Sequence, residues 1–65
     1  MRRVEVKVND VVVVNKDHEV MPLAFVEEGN VGRVLDVTFP NYCKVKLTNG
    51  MVYWIDSKYL DVVVD

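Results

Sequence analysis

The pair Asn49-Gly50, set between Lys44-Val-Lys-Leu-Thr48 and Met51-Val-Tyr-Trp-Ile55, constrains this chain more than any other feature. A two-residue type I′ turn needs φ > 0 at both central positions, which Asn tolerates and Gly adopts freely. Flanked by β-branched and aromatic residues, the pair reads as the tip of a tight antiparallel hairpin. A two-residue turn also dictates the partners. Thr48 falls opposite Met51, Leu47 opposite Val52, Lys46 opposite Tyr53, Val45 opposite Trp54 and Lys44 opposite Ile55. Side chains alternate between the faces of a strand. Cys43, Val45, Leu47, Val52 and Trp54 therefore share a wholly apolar face, expected in the core. Tyr42, Lys44, Lys46, Thr48, Met51, Tyr53 and Ile55 share the other face. A slip of one residue would carry two lysines into the core, so this register is expected to be strongly specified.

The rest of the chain points the same way. Valine supplies 17 of the 65 residues, and branching at Cβ disfavours helix and suits a pleated sheet. An all-β fold in one domain, residues 1–65, is expected. Val4, Val6 and Val8 alternate with Glu5, Lys7 and Asn9, the pattern of a strand with one covered face. Asn9-Asp10 breaks it, and Val11–Val14 then runs apolar without alternation, as in a strand buried on both sides or one crossing a barrel corner. Periodicity is lost from Val20 to Asn30. This stretch reads as a long loop pinned by Leu23, Phe25 and Val26 and closed by Glu27-Glu28-Gly29-Asn30. A short helix from Pro22 to Glu28 is the alternative. In the next strand, Val31–Phe39, Val31, Val34 and Val37 recur every third residue, which a bulge near Arg33–Leu35 or a strand covered on both faces would reconcile. Pro40-Asn41 turns the chain into the hairpin. Asp56–Leu60 reads as a single 3₁₀ turn capped by Asp56, and Asp61–Asp65 as a last short strand.

Order and composition suggest a family. Asn9-Asp-Val-Val12, Gly29-Asn-Val-Gly-Arg-Val-Leu-Asp-Val37, the hairpin and Trp54-Ile-Asp-Ser-Lys-Tyr-Leu60 together resemble a small five-stranded SH3-like barrel with one 3₁₀ turn before the last strand. The Gly29-x-x-Gly32-x-Val34 step is similar to KOW-type modules. The whole also looks like the variable chain of ferredoxin–thioredoxin reductase and the small barrel subunit of photosystem I. KOW-type modules contact RNA or the transcription and translation machinery, whereas the photosynthetic proteins dock on redox partners without chemistry of their own. The polyproline groove of signalling SH3 domains uses an acidic loop and several aromatics. Asp17, Glu19, Glu27, Glu28, Tyr53, Trp54 and Tyr59 supply those residue types. The expected register turns Trp54 inward, which counts against such a groove.

Chemistry is sparsely represented. Ten acids against eight bases leave a formal net charge of −2, and a pI near 5.2 argues against a dedicated nucleic-acid binder. One cysteine, Cys43, excludes an intramolecular disulfide and a multi-cysteine zinc site. On the core face it is a small hydrophobe. His18 reads as a solvated loop histidine, Ser57 as part of a capping turn, and the Gly29-x-x-Gly32 step lacks the Lys and Ser/Thr of a phosphate loop. The N-terminal Met1-Arg-Arg-Val-Glu-Val-Lys7 has no apolar segment after its charges, and no run reaches membrane-spanning length. No catalytic constellation, cofactor or metal is expected, and the expected setting is cytoplasmic.

The expected function is that of a non-enzymatic, monomeric module that docks on a protein, as an adaptor or regulator of the size of phage accessory proteins. Its partner-binding surface is the mixed face of the hairpin: Tyr42, Lys44, Lys46, Met51, Tyr53 and Ile55, with Arg33. A KOW-like nucleic-acid contact through Lys44, Lys46, Arg33 and Tyr53 is the second reading. A structural subunit of a larger complex is the third.

Overall fold

The computed structural model describes residues 5–20, 24–38 and 41–63, which form strands, turns and a single 3₁₀ turn. The strands are β1 (Val11–Val14), β2 (His18–Val20), β3 (Ala24–Val26), β4 (Val31–Thr38), β5 (Tyr42–Leu47), β6 (Val52–Asp56) and β7 (Leu60–Val62). Five of them make one antiparallel sheet in the order β6-β5-β4-β1-β7, while β2 and β3 form a separate ribbon. The fold is all-β as expected. The larger sheet is open, with β6 and β7 as its two edges among the described residues.

Three expectations need correction. Glu5–Val8 is not strand: Lys7 and Asp10 close a turn, with Asp10 N–H on the Lys7 carbonyl at 3.1 Å and the Asp10 carboxylate on Lys7 N–H at 2.9 Å. Asn9 takes φ 78° in this turn, a conformation Asn tolerates better than most residues. The stretch Val20–Asn30, read as a long loop or a short helix over 22–28, instead contributes β3 and the end of β2 to a ribbon, with His18 opposite Val26 and Val20 opposite Ala24. Its period-2 signal is only three residues long on each side, too short to stand out from the chain. Phe25 is not an anchor but 59 % exposed, whereas Val26 is buried. Val4, Met21, Pro22, Leu23, Phe39, Pro40 and Val64–Asp65, to which strand, loop and turn roles fell, lie outside the described residues.

The third correction is the hairpin register. Leu47 N–H donates to the Met51 carbonyl at 2.8 Å, and Gly50 N–H donates to the Leu47 carbonyl at 2.9 Å. The loop is therefore three residues, Thr48-Asn49-Gly50, not two. Gly50 alone has positive φ, 91°, as the bulge residue after a type I turn, and Asn49 Oδ1 accepts from Met51 N–H at 2.9 Å. The extra residue shifts every partner. Cys43 pairs with Ile55, Lys44 with Trp54, Val45 with Tyr53 and Lys46 with Val52. Ile55 is fully buried, Tyr53 half-buried against the core, and Trp54 stands on the opposite face. Trp54 is thus not a core residue, while Cys43 is, at 2 % exposure.

Other features match the sequence reading. The register of β4 on β5 shifts between Val34 and Asp36, placing the bulge at Leu35. Asp56 Oδ1 accepts from Lys58 N–H at 3.0 Å and caps the 3₁₀ turn Ser57–Tyr59. The core joins Val12, Val14, Val34, Val45, Leu47, Ile55 and Leu60 with Val20 and Val26 from the ribbon. Gly32 lies tight against β5: a Cβ there would stand 2.7 Å from the Lys46 carbonyl oxygen and from Val45 Cγ1.

The register makes a stability prediction. Ile55→Ala, in a closed core, should cost about 2–5 kcal/mol, and Trp54→Ala, on a half-open face, clearly less. Urea denaturation of both variants checks this, and the opposite order would return the hairpin to the two-residue turn. Gly32→Ala should cost about 1–3 kcal/mol by overpacking against backbone, read as a lowered urea midpoint at unchanged slope.

Candidate functional site

Strand parity sorts the outward face of β4–β5–β6 into three rows. Arg33, Lys46 and Val52 form the row nearest the hairpin tip, Asp36, Lys44 and Trp54 the middle row, and Thr38, Tyr42 and Asp56 the last. The proposed surface residues are therefore divided. Tyr42, Lys44, Lys46 and Arg33 do share this face, and Met51 is exposed beside the turn. Tyr53 and Ile55 do not. They point to the core for the same reason that Trp54 points out.

At the Tyr42 end, the face runs into a groove of about 660 Å³. The sheet supplies Tyr42, Trp54 and Asp56, the ribbon supplies His18, Glu19, Val20, Ala24 and Phe25, and the 3₁₀ turn supplies Lys58 and Tyr59. Backbone hydrogen bonds hold these parts together. Ser57 N–H donates to the Asn41 carbonyl at 2.7 Å, fastening the 3₁₀ turn to the start of β5. Asn15 fastens it to the end of β1, with its N–H on the Tyr59 carbonyl at 2.9 Å and its amide on the Lys58 carbonyl and the Asp61 carboxylate, both at 3.2 Å. The ribbon is closed at its base by Gly29 N–H on the Val14 carbonyl and Val14 N–H on the Asn30 carbonyl, each at 2.8 Å. Gly29, at φ 96°, makes that reversal without strain.

Inside the groove the rings are ordered by one another. The His18 and Tyr59 ring centroids lie 4.1 Å apart at 32°, and His18 Nδ1 lies 2.6 Å from the Lys16 carbonyl. A carbonyl can only accept, so Nδ1 carries the proton, leaving Nε2 buried without a partner. His18 is therefore a half-buried wall residue, not a solvated loop histidine. Lys58 Nζ sits 5.1 Å from the centre of the Tyr59 ring, a cation–π distance. Glu19 and Asp56 add two carboxylates to the lining. Asp17, Glu27 and Glu28 stand at the base of the ribbon, where the Asp17 carboxylate accepts from Glu28 N–H at 2.6 Å.

The objection to an aromatic groove thus falls with the hairpin register. Trp54, Tyr59 and Glu19 had been legible as the right residue types; His18, Phe25 and Asp56 had no signal of their own. Among the described residues, no three His, Cys, Asp or Glu side chains gather to hold a metal, and no helix is long and apolar enough to cross a membrane. No family model and no curated protein matches the chain.

Cys43 is walled off from all of this. Burial, followed by the nearby Asp56 carboxylate, pushes its thiol above the usual range. The folded chain therefore holds that proton more tightly than the unfolded chain. The associated stability is complete at neutral pH and is lost as pH rises through the ordinary thiol range and beyond. Cys43→Ala should remove this part of the alkaline destabilisation, measured as urea midpoint against pH. A thiol reagent should label native Cys43 far more slowly than the unfolded chain.

Proposed function

We propose that this chain is a non-enzymatic protein-binding module that receives an extended peptide segment on the groove between the β2–β3 ribbon and the outward face of β5–β6. The single observation that carries the reading is the outward placement of Trp54. It turns scattered aromatics into a concave surface lined by Tyr42, Trp54, Tyr59, His18 and Phe25 with two carboxylates. Aromatic grooves of this kind take extended, proline-rich or cationic segments. Flat rings offer large contact area at little entropic cost, and their negative faces attract cations. Lys58 illustrates the second point within the chain, since its own ammonium already rests on the Tyr59 ring.

The order of elements supports an SH3-like architecture. A ribbon is inserted between the first two sheet strands, a three-stranded meander follows, and a 3₁₀ turn precedes a short last strand. Closure of that sheet into a barrel belongs to the proposal. A cytoplasmic adaptor or regulator, acting as a monomer, is the role we assign to it. The nucleic-acid reading has Arg33, Lys44 and Lys46 on one face. It is the weaker one, because Asp36, Asp56 and Glu19 share that surface and the net charge is −2. A phosphate backbone laid along the face would meet Asp36 and Asp56 beside its cations.

Selection of random dodecapeptides displayed on phage tests the reading, with Trp54, the only tryptophan, as a fluorescent reporter of binding. Selected peptides should shift its emission. Trp54→Ala and Tyr59→Ala should each weaken them by about tenfold or more, the range of aromatic hot spots, and Met51→Ala should leave them unchanged. Peptides that bind Trp54→Ala as well as the parent chain would place the site elsewhere.

A further inference from the structure

The hairpin-tip row of the outward face contains an arrangement that folding does not favour. Arg33 and Lys46 stand directly opposite each other in the β4–β5 ladder, both exposed. Among the described residues no ion pair forms on this face. Like charges in directly opposed positions destabilise a sheet. The next row is balanced, with Asp36 opposite Lys44. The row after that has Asp56 opposite Tyr42, where the groove begins, and Glu19 on the ribbon is among the residues that line the groove. The charge thus runs from two adjacent cations at the hairpin-tip row to two carboxylates set, with Lys58, among the aromatic rings of the groove. Lys46 lies four residues from Tyr42 on β5, which is about 13 Å in extended chain.

We propose that the segment bound in the groove is an extended peptide of opposed terminal charge. One Lys or Arg is seated by Glu19 and Asp56 against Trp54 and Tyr42, and one Asp or Glu, three to five residues further along, is held by Arg33 and Lys46. The inference rests on the peptide-binding reading and adds to it the second anchor and the spacing. An extended ligand laid along β5 has the same rise per residue as the strand beneath it, so the interval on the protein becomes an interval in the ligand. Two cations converging on one carboxylate convert a repulsion in the free protein into a charge-assisted contact in the complex. Such complementarity acts on specificity and orientation, most of all at Arg33 and Lys46, which are exposed.

The test uses the whole chain and a peptide taken from the phage selection. Wild-type selections should enrich a basic residue and an acidic residue separated by two to four others. In a synthetic peptide of that consensus, replacing the acid by its amide should weaken binding about tenfold, the scale of a hydrogen bond to a charged group. Against the double variant Arg33→Gln, Lys46→Gln, the same replacement should have no effect. This variant relieves a repulsion at exposed positions, so it should keep or raise the urea midpoint, which confirms folding. Peptides that bind through Trp54 without an acidic preference would overturn the second anchor and leave the groove standing. Acid and amide peptides that differ equally on both proteins would also overturn it. A single-stranded oligonucleotide that binds the parent chain, competes with the peptide and fails on the double variant would reassign Arg33 and Lys46 to phosphate. No enriched peptide at all would remove the groove reading together with this one.

Discussion

One glycine in a left-handed conformation decides which side of β6 is buried. Gly50, at φ 91°, is the third residue of the hairpin loop, and its N–H closes on the Leu47 carbonyl. With two loop residues, Val52 and Trp54 would enter the core. With three, Tyr53 and Ile55 enter it instead. A strand has a side-chain period of two, so a single residue in the turn exchanges its whole inner and outer sets. The composition of the core, the exposure of the only tryptophan and the shape of the groove all follow from that loop.

The groove is a product of several short tethers, none of them strong alone. Asn15 holds the 3₁₀ turn to β1, Ser57 holds it to the turn before β5, and Gly29 folds the ribbon back towards β1. Val20 and Val26 then lock the ribbon to the core from beneath, leaving Glu19 and Phe25 on its outer side. A net contribution near 1 kcal/mol per hydrogen bond is small beside burial of a valine, at about 1.5–3 kcal/mol. The apolar face of the ribbon therefore fixes its place, and the hydrogen bonds fix its angle. A chain of this size has little core to spare. His18, Trp54 and Tyr59 are half-buried at the rim, where they add to the fold's packing, while Phe25 and Tyr42 stay exposed.

Much of the all-β architecture could be read from residue types. Valine density, the Val31–Val37 spacing with its bulge at Leu35, and the Asp56 cap of the 3₁₀ turn each have a local cause, and each lies where its pattern indicated. The ribbon was hidden because His18–Val20 and Ala24–Val26 are three residues each, too short for a period to declare itself. The groove was hidden for a different reason. Its residues come from β2, β3, β5, β6 and the 3₁₀ turn, and no one of these stretches carries a motif. Trp54 would announce it, but a two-residue turn at Asn49-Gly50 points that ring inward, and the three-residue loop points it out.

By itself, the sequence determined that the chain would turn at Asn49-Gly50, that β5 would bury Cys43, Val45 and Leu47, and that its lysines would face out. Those facts follow from strict alternation of apolar and charged residues along β5, which admits only one parity. The strand that follows, Val52-Tyr-Trp-Ile55, is apolar on both sides, so either parity would bury hydrophobic surface and the pattern could not choose. Only the tertiary structure chose, through the third loop residue that lets Ile55 close the core against Cys43 and frees Trp54 to line the groove.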